Sequence, residues 1–311
     1  MLVHVGYQKT GTKWLRDGLF RNREAGYHWL PKHAPPIWSL VYADPLRFDA
    51  EAARRELAPM VAEAEADGLV PVISWGRLVG VAFSGGYDTK LIADRIAGLV
   101  PEAKIVVVIR EQRSMIVSTY KQYVKTGGTA SIHGFLQPAK WQGKIPTFRF
   151  DFFEYDRVIG YYRSLFGDDS VLALPYEYLV AERAAFVAQV AEFAGRPVPD
   201  DVLTRIVKAR RRNTAQSALV MGATRPLNRF GPPSELNPAP LLGSERVAEF
   251  AARIRKRVDP SEIRAARALA DRSERILRQA AATGVDAHYV ESNRRTAELI
   301  GIDLAQYGWM V

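Results

Sequence analysis

The sequence predicts an α/β fold: a central parallel sheet flanked by helices, with a helical C-terminal extension. Two observations predict it. Four short apolar runs lack polar alternation, as strands covered on both faces do, and helical patterns follow or separate them.

The runs are Leu2 to Val5, Val70 to Ser74, Lys104 to Ile109 and Ser170 to Leu174. After the first, Trp14, Leu15, Leu19 and Phe20 recur at helical spacing; after the third, Ile116, Tyr120, Tyr123 and Val124 do the same. Alanine- and charge-rich stretches at 49–67 and 181–194 read as further helices, the second closed by Gly195. Ligands of such folds bind at the carboxyl ends of the strands. From about residue 210 the character changes. Residues 210–242 carry Arg210-Arg211-Arg212, several asparagines and prolines, and read as a long irregular connection; 243–300 reads as an Arg- and Ala-rich helical tail. One domain is expected over 1–311, with a core of about 1–209 and an extension of 210–311.

Of 311 residues, 48% are hydrophobic, enough for a large core. The absence of cysteine excludes disulfides, thiolate metal sites and cysteine nucleophiles. A net charge of +9 favours a polyanionic ligand without naming one, since nucleic acid, an acidic glycan and a nucleotide with several phosphates all fit. The N-terminus lacks the charged and apolar regions of a secretory signal, and no run approaches the roughly 20 apolar residues that span a bilayer. A cytoplasmic chain is the expectation, with no nucleic-acid partner.

Directly after the first run stands Gly6-Tyr7-Gln8-Lys9-Thr10-Gly11-Thr12-Lys13-Trp14. A strand, a tight glycine-bearing turn and a helix make an anion nest, in which backbone N–H groups point inward and the helix start adds partial positive charge. The pattern fails as a Walker A loop at its last two positions, because Thr12-Lys13 follow the second glycine and the principal lysine, Lys9, lies inside the loop. The third run ends in Arg110, and Ser118 follows eight residues on. A guanidinium fork and a hydroxyl at a strand end suit a second phosphate group.

Lys9-Thr10-Gly11-Thr12 followed by Trp14 resembles the 5'-phosphosulfate loop of sulfotransferases that use 3'-phosphoadenosine 5'-phosphosulfate (PAPS), whose motif reads K-[ST]-G-T-T-W. Lys13 stands where that family usually has a second threonine. The resemblance implies that Lys9 contacts the phosphate and bridging oxygen, that Thr10, Gly11 and Thr12 cradle the phosphate, and that Trp14 packs near the adenine. Arg110 with Ser118 is similar to the family's 3'-phosphate motif, although Glu111-Gln112 replace the Asn-Pro common after the arginine. Tyr176, within Pro175-Tyr176-Glu177-Tyr178-Leu179, resembles a tyrosine that lies near the adenine, and Arg211 matches a late basic loop. These likenesses span roughly residues 1–200. They imply PAPS as donor, PAP as product, and an acceptor hydroxyl on a glycan, glycolipid or small metabolite.

The family places a His or Glu base just after the strand preceding the arginine strand. Here that region reads Ile73-Ser74-Trp75-Gly76-Arg77-Leu78, which has neither. Three readings stay open: a base from elsewhere, led by His33 and His28 with Glu24 and Asp88 behind; an acceptor that is already ionised; or nucleotide binding without transfer. A P-loop kinase is the further alternative. The sequence offers no cluster with metal-ligand spacing, so no metal is expected.

Overall fold

The structure is a computed structural model, and it describes residues 1–138, 146–209, 218–257, 264–282 and 285–311. Five strands form one parallel sheet: β1 (Leu2–Gly6), β2 (Tyr27–Leu30), β3 (Val70–Ser74), β4 (Lys104–Ile109) and β5 (Val171–Pro175). Their order across the sheet is β2-β3-β1-β4-β5, so the chain leaves β1 on one side and returns on the other at β4. The carboxyl ends of β1 and β4 therefore flank the switch point, where open α/β sheets bind ligands.

Side chains alternate between two cores, as the period of two demands. Val3, Val5, Ile73, Ile105, Val107 and Ile109 face one; Leu2, Val72, Val106, Val108 and Leu174 face the other. The first core is covered by α2 (Pro35–Tyr42), α3 (Ala50–Ala66), α4 (Thr89–Leu99), α5 (Gln112–Lys125) and α7 (Tyr155–Phe166), with the short α6 (Ile132–Leu136) at its margin. The second is covered by α1 (Thr12–Leu15), which runs on as a wider turn through Arg16–Phe20, and by α9 (Arg183–Phe193) and α10 (Asp200–Lys208); α8 (Tyr176–Ala181) starts directly after β5. Helix α3 starts at Asp49, whose carboxylate accepts the N–H groups of Glu51 and Ala52, both at 2.9 Å.

Strand β2 was not among the four apolar runs that the sequence offered as strands. Tyr-His-Trp-Leu is too short and too polar to register as an apolar run, and it pairs on one side only, Tyr27 to Val70 through Leu30 to Ile73. A second departure is the region 210–242. Its described part is ordered: α11 (Ala218–Thr224) buries Ala218, Val220 and Met221, and a tight helical turn follows at Pro226–Arg229. Asn228 ties this stretch to the end of α5, its Nδ2 donating to the carbonyls of Val124 (2.7 Å) and Gly128 (2.9 Å).

The tail forms α12 (Glu245–Arg257), α13 (Arg264–Ala282) and α14 (Asp286–Ile300). It packs back on the core: Lys121 of α5 pairs with Glu274 at 2.6 Å, and Arg295 pairs with Asp156 of α7 at 2.7 Å. Among the described residues no helix is long and apolar enough to cross a membrane.

Candidate active site at the carboxyl edge of the sheet

The loop from Gly6 to Thr12 turns back on itself with help from inside. Thr10 is fully buried, and its hydroxyl donates to the Tyr7 carbonyl at 2.6 Å. The hydroxyl that the sequence offered as an anion donor thus pins the turn, which leaves Thr10 its backbone N–H to offer outward. Gly11, the residue that enters α1, has φ +84. A Cβ there would stand 2.9 Å from Leu179 and 3.4 Å from the Tyr176 ring, so glycine is required both by conformation and by space. Lys9 has φ +74, and among the described residues it is the one non-glycine residue with positive φ. Such a residue carries about 1–2 kcal/mol of strain, which surrounding contacts must hold in place.

Arg110 supplies one of those contacts. It sits just past β4, and its Nη1 donates to the Lys9 carbonyl at 3.0 Å, while its Nε donates to the Ser114 hydroxyl at 2.9 Å. The guanidinium carbon lies 4.9 Å from the centre of the Tyr176 ring. Tyr176 therefore touches both the loop, at Gly11, and the arginine. The structure brings Lys9, Gly11, Arg110 and Tyr176 into one cluster at the tips of β1, β4 and β5.

Positive charge converges there. Partial burial, then the like charges of Lys125, Arg110 and Lys121, hold the Lys9 ammonium below the usual lysine range. Ser114, Ser118, Lys121 and Lys125 recur along α5 at spacings of three and four, which gathers them on the side that borders the loop. Ser118 is half-buried one turn beyond Ser114, and Lys13 is exposed. Trp14 packs with Tyr176 against the core that α9 and α10 cover. Arg211 lies outside the described residues.

Beside Lys9 opens a narrow, solvent-connected hollow lined by Gln8, Phe83, Met115, Thr119 and Phe152 among others, with the loop from Gly6 to Thr12 at one end.

Residues 96–223 match the family model described as the sulfotransferase domain. Over that span the chain is similar to sulfotransferases. A crystal structure of a sulfotransferase from Alicyclobacillus acidocaldarius superposes with a TM-score of 0.54 at 15% identity, covering 99% of this chain and 98% of that one, and so shares its fold. A mouse sulfotransferase solved in complex with PAP aligns over 67% of this chain and 62% of its own, with 16% identity and a TM-score of 0.40. No curated protein matches the chain.

The rim of the candidate site also holds His33. It follows β2, is exposed, and lies against Trp38 with ring centres 5.2 Å apart. Trp38 stacks on Trp75 at 5.6 Å, and the next residue, Gly76, packs against Gln8 of the phosphate loop. The other candidates are differently engaged. His28 meets Arg23 at 3.1 Å near the amino end of the sheet, and Glu24, before β2, pairs with Arg205 at 2.5 Å. Asp88 is buried and paired with Arg77 at 2.5 Å. His4, read as structural, is fully buried, with its Nδ1 2.8 Å from the Ser74 hydroxyl, and burial pushes its imidazole down to about 3.

One cluster escaped the sequence reading because its members are distant in the chain. Asp151, Glu154 and His288 bring ligand-type atoms within 4.8 Å of one another. Arg149 pairs with Asp151 at 2.6 Å and Arg157 pairs with Glu154, so protein cations already neutralise the carboxylates.

Proposed function

We propose that this chain is a sulfotransferase that uses PAPS as donor and moves its sulfuryl group to an acceptor hydroxyl. The observation that carries the reading is the contact between Arg110 and the Lys9 carbonyl, which joins two anion-binding elements from different strand ends into one cradle. Partial burial, and then the like charges of Lys125, Arg110 and Lys121, bear on the ammonium at its centre, an arrangement that a polyanion relieves. The residues fit a nucleotide with phosphate at both ends.

Lys9, Thr10, Gly11, Thr12 and Lys13 hold the 5'-phosphosulfate in this reading, and Trp14 and Tyr176 border the adenine. Arg110 and Ser118 hold the 3'-phosphate. When bound, PAPS supplies an activated sulfuryl group: the acceptor oxygen bonds to sulfur as the bond from sulfur to the 5'-phosphate oxygen breaks, releasing PAP. The Lys9 ammonium is set where charge grows on that leaving oxygen, and such preorganised charge is worth several kcal/mol, on the order of a hundredfold to a thousandfold in rate. His33 takes the acceptor proton, and the hollow beside Lys9 receives the acceptor. We read the chain as cytoplasmic.

The test is a thermal-shift comparison of PAP, ATP and NAD, because a ligand that binds only the folded state raises its apparent stability. Selective stabilisation by PAP is expected. Selective stabilisation by Mg-ATP would instead assign the site to a kinase, and PAP binding without transfer to any hydroxylated acceptor would assign a binding protein.

A further inference from the structure

The arginine that ends β4 is held from an unexpected direction. Its turn, Arg110-Glu111-Gln112, is gripped at three successive residues. The Arg110 carbonyl accepts from the Tyr155 hydroxyl at 2.6 Å. The Glu111 N–H donates to Glu177 Oε1 at 3.2 Å, and the other oxygen of that carboxylate accepts the Trp309 indole N–H at 3.3 Å. The Gln112 side chain forms a reciprocal amide pair with Asn293, at 2.6 and 3.2 Å.

One of these three grips, Asn293, comes from beyond residue 290, and a second, Glu177, is itself held by Trp309 from the same segment. Asn293 Nδ2 also donates to the Met310 carbonyl at 2.7 Å, which fixes the segment bearing Trp309. Trp309 is 3% exposed and packs on Tyr155 at 5.6 Å between ring centres, so it touches two of the three holders. Gln112 and Asn293 are buried polar groups that pair with each other and donate further to the Phe153 and Met310 carbonyls, an arrangement that fixes geometry because a shift breaks hydrogen bonds in the interior. The Glu177 carboxylate is in the same position. Burial pushes it up, and the bonds from Glu111 and Trp309 keep it satisfied.

We infer that the segment from Asn293 to Met310 is a positioning brace for Arg110, acting through Glu177 and Gln112 to set the guanidinium against the 3'-phosphate of the donor. The inference rests on the donor reading above. It also gives the residues after the arginine a physical role: Glu111 and Gln112 are the two positions where the turn departs from the family's Asn-Pro, and they are the two that the brace holds. Trp309 meets Glu177 and Tyr155, and Asn293 meets Gln112 and Met310, so their influence on the cradle passes through the turn.

The experiment compares PAP with 5'-AMP, which lacks the 3'-phosphate, by titration calorimetry on the full chain. Trp309→Phe keeps the ring and removes the N–H. It should weaken PAP on the order of tenfold, the effect of misaligning one charge-assisted bond, and leave 5'-AMP unchanged. Glu177→Gln, which has one acceptor oxygen for two donors, should do the same, and stands in should Trp309→Phe fold poorly. In an Arg110→Ala background Trp309→Phe should have no further effect on PAP. Equal losses for both nucleotides, no loss for either, or additivity with Arg110→Ala overturns the brace. A wild-type chain without preference for PAP over 5'-AMP overturns the donor reading, and the brace with it.

Discussion

Arg110 donates a hydrogen bond to the carbonyl of Lys9 across 3.0 Å, joining two residues that stand 101 positions apart. The bond holds Lys9 in its left-handed conformation and sets two cations side by side with no carboxylate between them. Removing either residue should therefore affect different ends of the donor. Lys9→Ala should abolish transfer of labelled sulfate, a loss on the order of a hundredfold or more. Arg110→Ala should lower PAP affinity about tenfold to a hundredfold while sparing 5'-AMP. Full activity in Lys9→Ala would refute its role.

Proton linkage at Lys9 has a definite sign. Its ammonium is held below the ordinary lysine value of about 10.4, so in the window between the two the unfolded chain binds more protons than the folded one. Stability from this group rises with pH through that window. Anion affinity runs the other way, because the charged form is the binding form: PAP affinity should fall as pH rises through a range below that of a free lysine. Lys125→Ala removes the leading like charge and should move the fall to higher pH. Calorimetric titrations across alkaline pH read both.

Gly11→Ala forces a Cβ into a φ of +84 and to within 2.9 Å of Leu179. The conformational cost is about 1–2 kcal/mol. A lowered melting temperature together with weakened PAP binding is expected; unchanged PAP binding would separate the turn from the cradle.

His33 sits on the rim, not in the cradle, so its loss should divide the kinetic constants. His33→Ala should lower kcat on the order of a hundredfold and leave PAP affinity intact. An unaltered kcat would pass the proton to another group or to an ionised acceptor.

Asp49→Ala tests the start of α3 and nothing at the site. Two N–H groups lose their acceptor, and stability should fall by about 1 kcal/mol with PAP binding unchanged, measured by denaturant titration.

The four apolar strands and the loop were legible because each is local: a run of branched residues, or a glycine turn between strand and helix, declares itself within ten positions. Strand β2 was not. Its four residues carry two polar-edged side chains, His28 and Trp29, and only pairing with β3 makes them a strand. The meeting of Lys9 with Arg110 was anticipated from both lying at strand ends, whereas the inward turn of the Thr10 hydroxyl depends on the Tyr7 carbonyl that the turn itself creates. Nothing in the sequence near Glu177 points to Trp309, 132 positions away, since a buried carboxylate's partners are set by tertiary packing.

Those separations carry a kinetic corollary. The pairing of Gln112 with Asn293 closes 181 positions of chain, and contacts of that reach form only after a large loss of chain freedom has been met by other interactions. On refolding from denaturant, helix and sheet signals should recover ahead of competence to bind nucleotide, with the arginine's final setting among the last events to mature.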